Sequence, residues 1–71
     1  MMSREVRAAL RRLEIRPLPA GVDDLTQPGV LATLRHTCTN YDRLYREFRF
    51  DPEEHKMFRW AVNQRILEAM E

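Results

Sequence analysis

Long apolar runs, cysteine, glycine and lysine are all scarce in this sequence, and each scarcity excludes something. No apolar run approaches the ~18 residues of a membrane span. The first fifteen residues, MMSREVRAALRRLEI, thread charges among the apolar positions, so the continuous apolar core of a secretory signal is missing. A single cysteine, Cys38, excludes an internal disulfide and suits a reducing compartment. The expectation is therefore a soluble, cytoplasmic protein with no membrane partner. With only Gly21 and Gly29 present, no phosphate-cradling glycine loop is available. No segment alternates as a strand does, and no internal repeat or low-complexity tract occurs.

The chain has 71 residues and 12 basic against 11 acidic side chains, with a sequence pI of about 8.0. One domain spanning residues 1–71 is the ceiling at this length, and such a domain buries only about 60% of the surface of its unfolded chain. All the basic residues except Lys56 are arginines, and they are unevenly spread. Residues 1–16 carry Arg4, Arg7, Arg11, Arg12 and Arg16 against Glu5 and Glu14, a local +3. Residues 51–71 carry Lys56, Arg59 and Arg65 against Asp51, Glu53, Glu54, Glu68 and Glu71, a local −2. Arginine presents a planar fork of donors that suits phosphate and carboxylate. A GC-rich genome would produce the same arginine bias with no functional meaning.

The periodicity predicts an all-α fold of about four helices, over 3–14, 28–37, 40–49 and 52–70. An Arg-rich amphipathic helix occupies residues 1–15, a Pro/Gly connector 16–27 and a helical core 28–71. In the first helix Val6, Leu10 and Leu13 recur at helical spacing, Ser3 is placed to cap, and Arg4, Arg7 and Arg11 line the opposite side. RPLPAG then ends it, because proline cannot continue a helix. In the connector Leu18, Val22 and Leu25 are available to the core. The second helix starts near Pro28, with Thr26 or Gln27 as cap.

From Val30 to Phe48 the apolar positions Val30, Leu31, Leu34, Cys38, Tyr41, Leu44, Tyr45 and Phe48 follow one helical period. By that measure alone one helix is possible. The polar TCTN stretch argues for a break at 37–39, and the sequence leaves the choice between one helix and two open. TNYD fits a capping box, in which Thr39 accepts from the Asp42 amide and Asp42 reaches back to the Thr39 amide. The last helix opens on Asp51 as cap, with proline next and acids in the first turn. Phe58, Ala61, Val62, Ile66, Ala69 and Met70 form its core stripe, and Met57, Trp60 and Leu67 widen the apolar arc.

The side chains that bear chemistry give little direct indication of an enzyme. His36, Cys38, Asp42 and His55 are metal-ligand types, but structural zinc sites show ligands in two tight pairs, and here there is one His-x-Cys pair. No metal and no cofactor are expected. Cys38 with His36 or His55 would need an orienting third group and a water-excluding cleft. A helical domain this small has little room for a pocket of ~300 Å³ or more, so no small-molecule substrate is expected and catalytic residues are assigned to none.

The expected function is instead a non-enzymatic binding module. Its first form is nucleic-acid backbone contact by Arg4, Arg7, Arg11, Arg35, Arg43, Arg46 and Arg49, which would confer affinity without sequence readout. The modest pI and the interrupting Asp42 and Glu47 weigh against it. Its second form is a protein adaptor or homodimer built on Trp60, Tyr45, Met57 and Leu67, since aromatic side chains dominate interface hot spots.

The stretch LRHTCTNYDRLYREF, followed by a final helix with the spacing of FRWAVNQRILEAM, resembles an uncharacterised domain family over residues 29–70. The motif is Arg-His, two variable residues, Thr, one variable residue, Tyr-Asp, one variable residue and Leu, which here falls on Arg35, His36, Thr39, Tyr41, Asp42 and Leu44. Ile66 and Leu67 correspond to the Ile-Leu or Val-Leu pair in that family's closing helix. Tyr45 stands where a second leucine is common, and the chain ends EAME instead of near a tryptophan. The resemblance implies a compact helical domain and no particular activity.

Overall fold

Four helices follow one another along the chain in a computed structural model that describes residues 2–20 and 27–70. They are α1 (Arg4–Arg11), α2 (Pro28–Cys38), α3 (Tyr41–Phe48) and α4 (Pro52–Ala69), and no strand forms among the described residues. The expected all-α class and its four helices are what is found. Val22, Leu25 and Thr26 lie outside the described residues, whereas Leu18 packs against the core.

Each helix starts where its local chemistry provides partners for free amides. Ser3 Oγ accepts from the Val6 N–H at 3.1 Å and opens α1. At α4, Asp51 accepts from the Glu54 N–H at 2.8 Å while the Glu54 carboxylate accepts from the Asp51 N–H at 3.2 Å. That reciprocal pair is a full capping box. Gln27 precedes α2 with no side-chain cap, and the proline at the helix start lacks the N–H that would need one.

Helix α4 is the axis of the fold, packing against both α1 and α2, while α3 closes on α1 and α2. Its buried stripe is Phe58, Ala61, Val62 and Ile66. Val6, Ala9 and Leu10 meet it from α1, Leu34 from α2, and Tyr41 and Leu44 from α3. The fully buried side chains Phe58, Leu44, Ile66, Val6 and Val62 are drawn from α1, α3 and α4, so these three helices seal one core. Phe58 stacks on Tyr41 with centroids 5.3 Å apart and meets Phe50 at 4.9 Å. Ala69 is exposed, contrary to its expected place in the stripe, because the fully buried part of α4 ends at Ile66, with Leu67 and Met70 only partly buried beyond it.

The break between α2 and α3 is real, and it is built differently from the expected capping box. Thr39 is the C-cap of α2 in extended conformation. Its hydroxyl donates back to the Arg35 carbonyl and accepts from the Tyr41 N–H at 3.1 Å, so one side chain ties both helix ends. The cap position of α3 is Asn40, which makes no side-chain cap bond. Asp42 does not reach back to Thr39, since its carboxylate is engaged by His36.

Asn40 is diverted because a segment of the chain distant in sequence binds there. Its Oδ1 accepts from the Glu14 N–H at 2.8 Å and its Nδ2 donates to the Arg12 carbonyl at 3.0 Å. Arg16 N–H donates to the Cys38 carbonyl at 2.7 Å, and Ile15 forms an isolated antiparallel bridge with Thr39. This docking explains why α1 stops at Arg11 when its periodicity runs to residue 14. Arg12 and Leu13 still bond back to Ala9 and Leu10, and the residues after them, 14–16, pair with the α2–α3 junction. At the far end of α3, Arg49 takes the left-handed conformation (φ 48°) that turns the chain toward α4.

Candidate functional site

The exposed arginines fall on two neighbouring helices. Arg4, Arg7 and Arg11 are exposed on α1, opposite its Val6–Ala9–Leu10 face. Arg43 and Arg46 are exposed on α3, and Arg49 is exposed just beyond it. The two groups meet at Glu47, whose carboxylate takes Arg12 at 3.0 Å and Arg43 at 3.9 Å. Arg12 also lies over the Phe48 ring, 5.6 Å from its centroid. One carboxylate thus serves two guanidinium groups at the α1–α3 seam, which leaves that seam with a surplus of positive charge.

Arg35 does not belong to this surface. It is 9% exposed, bonds Asn63 Oδ1 through Nη1 at 2.8 Å, and lies over the Tyr41 ring at 5.1 Å. The reason is its register on α2: it sits next to the core residue Leu34 on the side that faces α3 and α4. An exposed phosphate contact by Arg35 is therefore withdrawn.

The expected interface residues also separate. Trp60 (56% exposed) and Tyr45 (40% exposed) are the large exposed apolar side chains among the described residues. Trp60 borders a shallow depression with Glu53, Lys56 and the half-buried Met57. Leu67 is half-buried two turns further along α4. Tyr45 instead leans on His55, with ring centroids 4.3 Å apart, and lines a different cavity.

That second cavity is an open cleft of about 320 Å³ between the end of α2, the start of α3 and the first half of α4. It gathers Arg35, His36, Tyr41, Asp42, Tyr45, His55 and Arg59. The sequence reading allowed little room for such a space. It arises because the helix break turns α3 away from α2, so that the two helix ends and α4 frame a gap that no apolar side chain fills.

Two hydrogen-bonded pairs organise the cleft. His36 Nδ1–H donates to both carboxylate oxygens of Asp42, at 2.8 and 3.0 Å. That fixes the proton on Nδ1 and leaves Nε2 as an acceptor in the neutral ring or a donor in the charged one. Tyr41 Oη and His55 Nε2 lie 2.8 Å apart. Burial pushes the Tyr41 phenol above its ordinary value of 10.0, against the opposing pull of Arg35 and Arg59. Burial lowers His55 below 6.5, and the positive charges of Arg59 and Arg35 lower it further. The pair is thus held as a neutral phenol beside a neutral imidazole, with one hydrogen bond shared according to the tautomer. The His36 and Tyr41 rings meet edge-on at 5.7 Å.

The charge balance of the cleft favours an anion. Arg35 and Arg59 supply two cations, whereas the only carboxylate lining it among the described residues, Asp42, is already engaged by His36. Cys38 is not among the lining residues; its Sγ lies 3.5 Å from Thr37 Oγ1, so no cysteine–histidine pair forms. Among the described residues no three His, Cys, Asp or Glu side chains come together as a metal-ligand group.

From the sequence His36 and His55 were weighed only as metal ligands or as partners of Cys38, and Arg59 and Tyr41 were not singled out as site residues. The only available signal was the density of polar types in RHTCTNYD, and that stretch also reads as helix punctuation. His55 and Arg59 lie outside it and join it only through the packing of α4 on α2. Comparison with protein-family models, with curated proteins and with solved structures finds no match for this chain.

Proposed function

We propose that this domain is a non-enzymatic binding module that contacts nucleic-acid backbone through exposed arginines on α1 and after the α2–α3 break. The observation that carries this reading is the meeting of Arg12 and Arg43 on the single carboxylate of Glu47. It supports one continuous basic strip running from Arg4, Arg7 and Arg11 toward Arg43, Arg46 and Arg49. Guanidinium groups spaced along two adjoining helices suit a row of phosphates, and such contacts release counterions.

The test is fluorescence anisotropy with duplex DNA and duplex RNA of arbitrary sequence. If four to six of these arginines meet phosphates, affinity should fall by about 10²–10³-fold between 50 and 200 mM salt. Arg7→Glu with Arg11→Glu, both exposed and far from the core, should abolish binding with the fold intact. Absence of binding to either duplex at 50 mM salt would remove the reading.

A second reading is favoured by one specific observation, the 56% exposure of Trp60 beside half-buried Met57. It is self-association through the outer face of α4, with Leu67 at the edge of the patch. Light scattering should then show mass rising toward that of a dimer with concentration, and Trp60→Ala should suppress the rise. A constant monomer mass at millimolar protein would eliminate it.

A further inference from the structure

We propose that the cleft framed by Arg35, His36, Tyr41, Tyr45, His55 and Arg59 binds a small oxyanion, a phosphate or carboxylate group. This inference does not depend on the arginine strip of α1 and α3, which is a separate surface.

Arg35 is about nine-tenths buried, and its side-chain partners among the described residues are the neutral Asn63 amide and the Tyr41 ring. Its Nε is buried with no hydrogen-bond acceptor. A cation removed from water requires a charged partner or a full set of acceptors, and otherwise it is strongly destabilising. Among the described residues no carboxylate lies within 4.0 Å of Arg35 or of Arg59. The fold therefore holds a buried, incompletely satisfied cation at the wall of an open cleft, with a second guanidinium from α4 on the same cleft.

The remaining lining suits the same ligand. The His36 ring is pinned by Asp42, which keeps that carboxylate occupied, and its Nε2 donates to an anion when the ring carries its second proton. The Tyr41 hydroxyl and the His55 ring, 2.8 Å apart, share one hydrogen bond and leave one further N–H or O–H of the pair to donate, according to the tautomer. Tyr45 packs against His55 at the edge of the cleft, with ring centroids 4.3 Å apart. A volume of about 320 Å³ accommodates a phosphate or a small organic acid. Planar guanidinium donors match the oxygen spacing of both anions.

Binding has a proton signature. His55 faces Tyr41 and Tyr45 from α3, Arg35 from α2 and Arg59 from its own helix, while the His36–Asp42 pair lines the same cleft. Burial, and after it the positive charges of Arg59 and Arg35, hold its protonation down, and an anion placed among these groups offsets the charge. The His55 titration should therefore move upward when the ligand is bound.

The experiment follows the side-chain ¹H–¹⁵N resonances of His36, His55 and the arginine Nε–H groups in the intact protein. The additions are inorganic phosphate, acetate, and chloride at matched ionic strength. A saturating shift of the Arg35 Nε–H and both histidines, with the His55 midpoint rising, is the expected result. Phosphate acting alone would assign a phosphoryl ligand, and acetate acting alone a carboxylate. Arg59→Gln changes an exposed residue and should fold normally, yet weaken the anion at least tenfold. Arg35→Gln should abolish the response, and Arg59→Gln keeps the test decisive if that variant does not fold. Shifts no larger than those with chloride, or equal shifts at the Arg7 Nε–H, would overturn the proposal.

Discussion

Phe58→Ala should leave this domain largely unfolded at 25 °C. Phe58 is fully buried at the centre of α4 and touches aromatic rings from two other parts of the chain, Tyr41 at 5.3 Å and Phe50 at 4.9 Å. Truncating such a ring costs about 3–5 kcal/mol, because the transfer energy is lost and a cavity remains. The total stability of a single core of this length is of the same size, about 3–5 kcal/mol. Loss of helical circular dichroism, or a urea midpoint near zero, is the expected measurement. A variant that retains a cooperative transition with a loss below about 1.5 kcal/mol would show that the aromatic cluster is not the centre of the core. Phe58→Leu, which keeps most of the volume, should cost clearly less.

Asn40→Ala should cost about 2–3 kcal/mol, unusual for the loss of one polar side chain. Asn40 is buried, and its amide satisfies the Glu14 N–H at 2.8 Å and the Arg12 carbonyl at 3.0 Å. Alanine leaves both backbone groups without partners in a partly buried position, and each unsatisfied group costs about 1–3 kcal/mol. The effect should also be local. Amide exchange at Glu14 and Arg16 should accelerate, because residues 12–16 are anchored to the junction at Asn40 and Cys38. Asn40→Asp separates the two bonds, since a carboxylate still accepts from Glu14 but has no donor for Arg12. It should fall between the wild type and alanine. If Asn40→Ala were as stable as the wild type, the docking of residues 12–16 would have to rest on the backbone pairing alone.

The two variants mark the two ways this sequence encodes its fold. The role of Phe58 was legible, because the core stripe of α4 recurs at helical spacing and Asp51 with the following proline announces its start. Asn40 was not. Its partners lie 26 and 28 residues away, and local reasoning assigned the junction to Thr39 and Asp42 as a capping box. Thr39 does serve the junction, by bonding Arg35 and Tyr41, but Asp42 turns to His36. A carboxylate six residues from a histidine has a choice of partners, and the angle between α2 and α3 decides which one it reaches.

The candidate sites divide along the same line. Exposure of Trp60 and of the α1 arginines could be read from helical phase, because each lies opposite a buried stripe. Arg35 could not, since the same phase argument put it off the apolar stripe, while α3 and α4 close over it. His36, Tyr41, His55 and Arg59 sit on three helices and form a cleft only once those helices are packed.

What the sequence alone determined was the all-α class, the caps at Ser3 and Asp51, a place where the middle segment could break, and most of the core; that the break forms was decided by the packing. These follow from hydrophobic period and from side chains that bond their own neighbouring backbone, interactions that act within a few residues. Only the tertiary structure decided that α1 ends early, that Asn40 clamps it to the α2–α3 junction, and that Arg35 is buried beside a cleft with no counter-charge among the described residues. Each of these depends on which distant groups compete for the same donor or acceptor, and that competition is settled by the packing of α4 against α1 and α2.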